Sequence, residues 1–128
     1  MNIKAKANRD GSVDLIAKQG ATWEFTIELT QENGDPVDLT GYTGRGQIRK
    51  DYSSEDYEAQ FTVEVLSPET DGKVKVSLDA DTTAGIEAGS SYEDSASMYV
   101  YDIELVGADN YVMRVLQGKL YVDPEVTK

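Results

Sequence analysis

The sequence predicts an all-β fold, a two-sheet antiparallel β-sandwich of immunoglobulin-like appearance. Three observations predict it. Trp23, Phe25, Ile27 and Leu29 alternate with Thr22, Glu24, Thr26 and Glu28, the period of two expected of a strand with one buried and one wet face. The alternation returns at Phe61, Val63 and Val65, at Val74, Val76 and Leu78, and at Tyr99, Tyr101, Ile103 and Leu105. Turn signals separate these runs roughly every ten residues, and no long helical stripe competes with them.

Each element follows from local chemistry. Residues 1–7 alternate weakly, and Asn8-Arg9-Asp10-Gly11-Ser12 reads as a turn because Asp-Gly tolerates a left-handed position. Residues 13–18 form a short strand and residues 22–31 the main one. Glu32-Asn33-Gly34-Asp35-Pro36 is a hairpin turn, Asn-Gly being the strongest short hairpin signal. After a corner at residues 37–42, residues 44–50 form a strand with Ile48 inward. Gly46 on the same face leaves room for a large neighbour, Trp23 or a tyrosine. Residues 51–56 are an exposed polar loop. The runs at 61–65 and 74–78 form a hairpin around a turn at 68–72.

Residues 79–86 break the alternation. Asp81 or Thr82 caps one short helical turn near residues 81–87, which Gly85 and Gly89 end. A loop at 90–97 precedes the strand with Tyr99, Tyr101, Ile103 and Leu105 inward and Asp102 and Glu104 outward. Ala108-Asp109-Asn110 turns the chain into a final strand, 111–122, whose inward set is Val112, Leu116, Leu120 and Val122. The organisation is an N-terminal arm, residues 1–18, followed by a sandwich domain, residues 19–128. The arm starts with so little apolar content that adding to a neighbouring subunit's sheet edge suits it better than self-anchoring.

Composition narrows the chemistry. The chain has 128 residues, no cysteine and no histidine, which fits one domain and excludes disulfides, thiol catalysis, serine–histidine triads and histidine or thiolate metal sites. A net charge of −12 disfavours nucleic acid and anionic membranes and favours a partner rich in lysine and arginine. No signal-peptide pattern or membrane-spanning run is read, so the expected site of synthesis and assembly is a cytoplasm.

The candidate carboxylate pairs for catalysis are Asp79 with Asp81 and Asp102 with Glu104. Neither pair lies in a cleft signalled by aromatic residues, and exposed carboxylates are ordinarily solvated. Calcium candidates are Asn8, Asp10 and Asp14, and separately Glu32, Asp35 and Asp38, but neither set has the full calcium-loop spacing. No cofactor is expected. Among the eight tyrosines, Tyr52, Tyr57 and Tyr92 fall in predicted loops and are the candidate protein-contact residues. Tyr42, Tyr99 and Tyr101 read as core or half-core. Arg45, Arg49 and Arg114 are candidates for cross-strand ion pairs with Glu24, Glu28 or Glu104.

Taken together, several segments resemble a family of small bacteriophage virion proteins. They are Gln19-Gly20-Ala21-Thr22-Trp23, Gly34-Asp35-Pro36-Val37-Asp38-Leu39-Thr40-Gly41-Tyr42-Thr43 and Gln47-Ile48-Arg49. Asp71-Gly72-Lys73-Val74 and Thr82-Thr83-Ala84-Gly85-Ile86-Glu87-Ala88-Gly89 follow. Tyr99-Val100-Tyr101-Asp102-Ile103-Glu104-Leu105 comes next, then Arg114-Val115-Leu116-Gln117-Gly118-Lys119-Leu120 and Val122-Asp123-Pro124-Glu125-Val126-Thr127. The chain is similar, more loosely, to the amino-terminal domain of baseplate upper proteins. It departs from the pattern at Gly46, where a larger apolar residue is usual, and in the polar stretch 90–97.

The resemblance implies a non-enzymatic structural component of a phage particle, in the tail, baseplate or fibre attachment region. Its partners would be other virion proteins, in a homo- or hetero-oligomer, with no small-molecule substrate. Two alternatives stand beside it, a capsid decoration protein on the phage head and a carbohydrate- or calcium-dependent binding module.

Overall fold

A computed structural model describes residues 12–127, and they form two β-sheets packed face to face. The strands are β1 (Leu15–Lys18), β2 (Trp23–Glu28), β3 (Thr43–Arg49), β4 (Ala59–Gln60), β5 (Thr62–Val65), β6 (Lys73–Leu78), β7 (Met98–Val106) and β8 (Val112–Asp123). One five-residue helix, α1 (Ala80–Ala84), follows β6. The order β1-β8-β7-β3-β4 makes a five-stranded sheet, and β2-β6-β5 makes a three-stranded one. The fold is the expected sandwich, with one departure from antiparallel pairing: β1 runs parallel to β8.

The core lies between the sheets. Phe25, Val74, Val76 and Leu78 face Ile48, Tyr99, Tyr101, Ile103, Leu105, Leu120 and Val122 across it, all buried. Leu39 and Ile86 are also fully buried within the same cluster. Two glycines on the inner face of β3 set how closely the sheets approach. A Cβ on Gly44 would stand 2.2 Å from Val63 Cγ1, and one on Gly46 would stand 3.0 Å from the Phe61 ring. The large neighbour accommodated by Gly46 is therefore Phe61, not Trp23 or a tyrosine. Phe61 is also where one extended segment changes sheets. Its N–H donates to the Gly46 carbonyl (3.0 Å), while β4 before it pairs with β3 and β5 after it pairs with β6.

The turns form where expected, but Glu32–Pro36 does not close a hairpin of paired strands, and the helix cap differs. Gly34 has φ +90°, and the Asn33 side chain accepts from Asp35 N–H (2.9 Å). Only Thr30 and Pro36 bridge across this turn, because β2 and β3 belong to different sheets. The helix cap is Asp79, which accepts from Thr82 N–H at 2.8 Å, rather than Asp81 or Thr82. The Thr83 hydroxyl donates to the Ala21 carbonyl (2.8 Å) and ties the helix to the chain before β2. Among the described residues no helix is long and apolar enough to cross a membrane.

Three further expectations change. Residues 13–18 belong to the sandwich rather than to an arm: Val13, Leu15 and Ala17 are buried. The Tyr101 hydroxyl, buried in the core, donates to the Val13 carbonyl at 2.6 Å. The weakly patterned residues 1–11 of that expected arm lie outside the described residues. Second, Trp23 is only half-buried. Its ring meets Phe25 and Phe61 (centroids 5.0 and 5.7 Å away), and its Nε1–H donates to the Ile16 carbonyl (3.0 Å). Among the described residues β2 is an edge strand, with no further strand over the outer flank of the indole. Third, Val112 is exposed and Leu116 half-buried. Register shifts between Ile103 and Glu104, so that Ile103 faces Leu116 while Glu104 faces Arg114. This bulge inserts Val115 and reverses the phase of β8, placing Met113 rather than Val112 opposite inward Leu105.

Two outcomes test this architecture. Tyr101→Phe leaves the buried Val13 carbonyl without its donor and is expected to cost about 1–3 kcal/mol, read from urea unfolding followed by tryptophan fluorescence. Gly118→Ala places a Cβ 2.1 Å from the Val13 carbonyl oxygen, so it is expected to cost about 1–3 kcal/mol and to raise amide exchange along β1.

Candidate protein-binding face

Alternation in β3, β7 and β8 sends a second set of side chains out of the five-stranded sheet, and register aligns them in rows. Arg45, Glu104 and Arg114 form one row, and Gln47, Asp102 and Gln117 the next, with Gln60 of β4 beside Gln47. Arg49, Val100 and Lys119 form a third. Apart from Lys119, these rows line a depression of about 550 Å³ that Tyr52 also borders. Three of the chain's four arginines sit on this face.

Ion pairs organise it. Arg45 Nε donates to Glu104 Oε1 at 2.9 Å, and Arg114 Nε lies 3.6 Å from Asp102 Oδ2 and 3.7 Å from Glu104 Oε2. Glu104 is thus the expected partner of both arginines. Glu24 and Glu28, in the other sheet, pair instead with Lys75 (3.3 Å) and Lys73 (3.9 Å). Asp102 points outward as its alternation predicts, and its ion pair with Arg114 is set by the β7–β8 register, which local sequence does not encode. Burial pushes the Asp102 carboxyl above the ordinary range, and the charge of Glu104 adds to this against the pull of Arg114, Arg45 and Arg49. Arg49 turns to the loop after β3. Its Nη1 donates to the carbonyls of Ser54 (3.0 Å) and Glu55 (2.7 Å), and its Nη2 to Gln47 Oε1 (2.8 Å). Inside that loop Asp51 accepts from the Ser53 and Ser54 hydroxyls and from Ser53 N–H, which hold its carboxyl below the usual range. Tyr52 is therefore carried on a braced loop.

The three tyrosines chosen from the sequence are all exposed, Tyr52 by 79%, Tyr57 by 47% and Tyr92 by 40%, but only Tyr52 borders the depression. Tyr92 lies in the 90–97 loop, where Asp94 accepts from Ser90 and Ala96 N–H groups (3.2 and 3.1 Å). Tyr42 is half-buried, and Tyr99 and Tyr101 are buried, as expected.

Apolar rows flank the polar depression at both ends of the sheet. Ile16 aligns with Tyr121, and Tyr121 with Met98; Ile16 and Met98 are exposed. At the opposite end exposed Val112 aligns with Val106, beside exposed Tyr111. Sequence reading missed Ile16, Met98 and Tyr111 as surface residues. Their composition is ordinary for strands, and only the pairing aligns them.

Charge is unevenly placed. Of the described cations, all but Lys50 lie in strands. Of the described carboxylates, only Glu24, Glu28, Glu64, Asp102, Glu104 and Asp123 do. Of the carboxylate pairs considered for catalysis, Asp79 caps α1 through Thr82, and Asp102 and Glu104 hold arginines. For calcium, Asp38 is engaged with Thr40 (2.6 and 3.0 Å) and Asp35 with Asn33. Asn8 and Asp10 lie outside the described residues. Among the described residues no group of three acidic side chains converges to hold a metal.

No family model matches the chain, and no curated protein matches it. Solved structures similar to it include a point mutant of the SrpA adhesin from Streptococcus sanguinis. That match has a TM-score of 0.48 and 11% identity, and covers 87% of this chain and 55% of the adhesin chain. Another is the sialic-acid-binding region of a Streptococcus sanguinis adhesin bound to 3′sLn, with a TM-score of 0.44 and 13% identity, covering 88% of this chain and 28% of that one. The chain spans about half the length of the first and about a quarter of the second.

The electrostatics of the depression give a signed prediction. Because the folded pKa of Asp102 is raised, the folded state disfavours its ionised form at all pH values above that pKa. The penalty fades as pH falls through the folded pKa toward the ordinary value of 3.8, below which both states are protonated. Asp102→Asn is expected to raise the melting temperature at pH 7, with the gain vanishing by about pH 3.5, as read by circular dichroism.

Proposed function

We propose that this chain is a non-enzymatic structural module of a bacteriophage particle, in the tail, baseplate or fibre attachment region, that binds other virion proteins through the outer face of its five-stranded sheet. The observation that carries the binding role is the make-up of that face. Exposed apolar rows at its two ends bracket an arginine-lined depression, and no described element covers it. Apolar contact with enclosed arginine and tyrosine is the composition of protein-interface centres. The placement in a phage particle rests on the ordered segment resemblance from Gln19 to Thr127. The absence of histidine and cysteine and the engagement of the weighed carboxylates in caps and ion pairs favour a binding role over catalysis.

A second reading, a carbohydrate-binding module, is favoured by one observation. Tyr52 stands at the rim of a depression lined by planar polar side chains, Gln47, Gln60 and Gln117. Such groups hydrogen-bond hydroxyl pairs while an aromatic ring covers an apolar sugar face.

The two readings separate experimentally. Particles purified from cells producing the phage that encodes this chain are expected to contain it in fixed stoichiometry by mass spectrometry. Ile16→Lys with Met98→Lys, both at exposed positions, is expected to fold normally and to lower incorporation at least about tenfold, because each lysine would bring an unpaired charge into an apolar contact. Recovery of the wild-type chain only in the particle-free fraction, with glycan binding abolished by Tyr52→Ala, would support the carbohydrate reading instead.

A further inference from the structure

We infer that the arginine-lined depression receives the acidic 31–36 turn of a second copy of this chain, so that copies associate head to tail. The inference rests on the reading of this sheet face as a binding surface and names its occupant.

The receiving groups are Arg45 and Arg114. Their side chains are 61% and 55% exposed. Arg45 engages Glu104 through Nε, and among the described residues neither of its Nη groups is hydrogen-bonded. Arg114 uses Nη1 on Gln117 (3.2 Å) and stands loosely beside Asp102 and Glu104. Each guanidinium therefore keeps donors for an incoming carboxylate, the pairing that gives arginine its strength and geometric selectivity. The two arginines flank Glu104 in one register row, two strand spacings apart, about 9–10 Å.

The incoming groups are Glu32 and Asp35, the latter through Oδ1, since its Oδ2 accepts from Asn33 Nδ2 (3.1 Å). Every residue from Thr30 to Pro36 is exposed. The turn is braced by Gly34 N–H on the Gln31 carbonyl (2.9 Å), Gln31 N–H on the Asp35 carbonyl (2.7 Å) and the Asn33–Asp35 contacts. The ordering cost of binding is therefore largely met beforehand. The hydrogen-bonded turn is Gln31–Gly34, so Glu32 stands inside it and Asp35 directly after it, and the two carboxylates are presented together from one short exposed segment. The connections 30–42, 66–72 and 107–111 hold six carboxylates and no lysine or arginine, so the turn brings no cation that would repel the receiving face.

Two copies each carrying −12 repel at long range. At physiological ionic strength the Debye length is about 8 Å, which screens that repulsion and leaves contact pairs in force. The donor turn and the receiving face are different patches, so the contact is heterologous and generates a ring or a filament rather than a two-fold dimer.

The test is analytical ultracentrifugation of the full chain at about 0.15 M salt over a wide concentration range. The wild type is expected to associate beyond a dimer. Arg45→Glu with Arg114→Glu, and separately Glu32→Lys with Asp35→Lys, are each expected to weaken association at least about tenfold, while an equimolar mixture of the two variants restores it. Circular dichroism melts confirm that each variant folds, and Arg45→Gln with Arg114→Gln replaces the first if it does not. A wild type that stays monomeric, or a turn variant that associates like the wild type, overturns the inference. A monomer that still enters particles overturns it while leaving the proposed function standing.

Discussion

The strict alternation of β7 is the constraint on which core and binding face both depend. Tyr99, Tyr101, Ile103 and Leu105 are all but inaccessible to solvent, while Val100, Asp102 and Glu104, between them, line the outer depression. In a pleated strand these two sets are locked together: a one-residue slip would bury two carboxylates and expose two tyrosines. A slipped register keeps its ladder but buries Asp102 and Glu104 without partners, which is costly, so the register has one low-energy solution. β7 also pairs along its whole length with β8 and along most of it with β3. The positions of Arg45 and Arg114 on either side of Glu104 are therefore consequences of core packing.

The bulge opposite Ile103 and Glu104 reconciles two demands on β8. Its C-terminal half must send Leu120 and Val122 into the core and leave Gly118 for the close approach of Val13. Its N-terminal half must put Arg114 outside, next to Glu104. With an unbroken period of two, Arg114 would share the phase of Leu116 and Leu120. The extra residue, Val115, reverses that phase, adding local twist to the sheet that carries the depression.

Charge placement gives the surface its character. An acidic chain of this size has a dispersed negative field that favours solubility. Here most carboxylates lie in the connections, where several serve the backbone: Asp79 caps α1, Asp94 ties its loop and Asp38 holds Thr40. Of the described cations all but Lys50 lie on strands, where cross-strand spacing pairs several of them with the few strand carboxylates. The five-stranded sheet thus presents a locally basic concavity within an acidic domain, a contrast invisible to net charge.

Period, turn chemistry and composition were enough to settle the fold class, most strands, the inward set of β7, the turn at Gly34, the short helix after β6 and the exposure of Tyr52, Tyr57 and Tyr92. These are local properties, written in neighbouring residues. Tertiary structure alone decided what depends on residues distant in sequence. It drew Val13, Leu15 and Ala17 into the core through parallel pairing with β8. It left Trp23 half-covered on an edge strand, filled the space at Gly46 with Phe61, and reversed β8 at a bulge that leaves no mark in composition. The binding face belongs to this second group, because Arg45, Asp102, Glu104 and Arg114 become neighbours only when three strands pair in register. Alternation specifies which way a side chain points, and strand order and register specify what it meets.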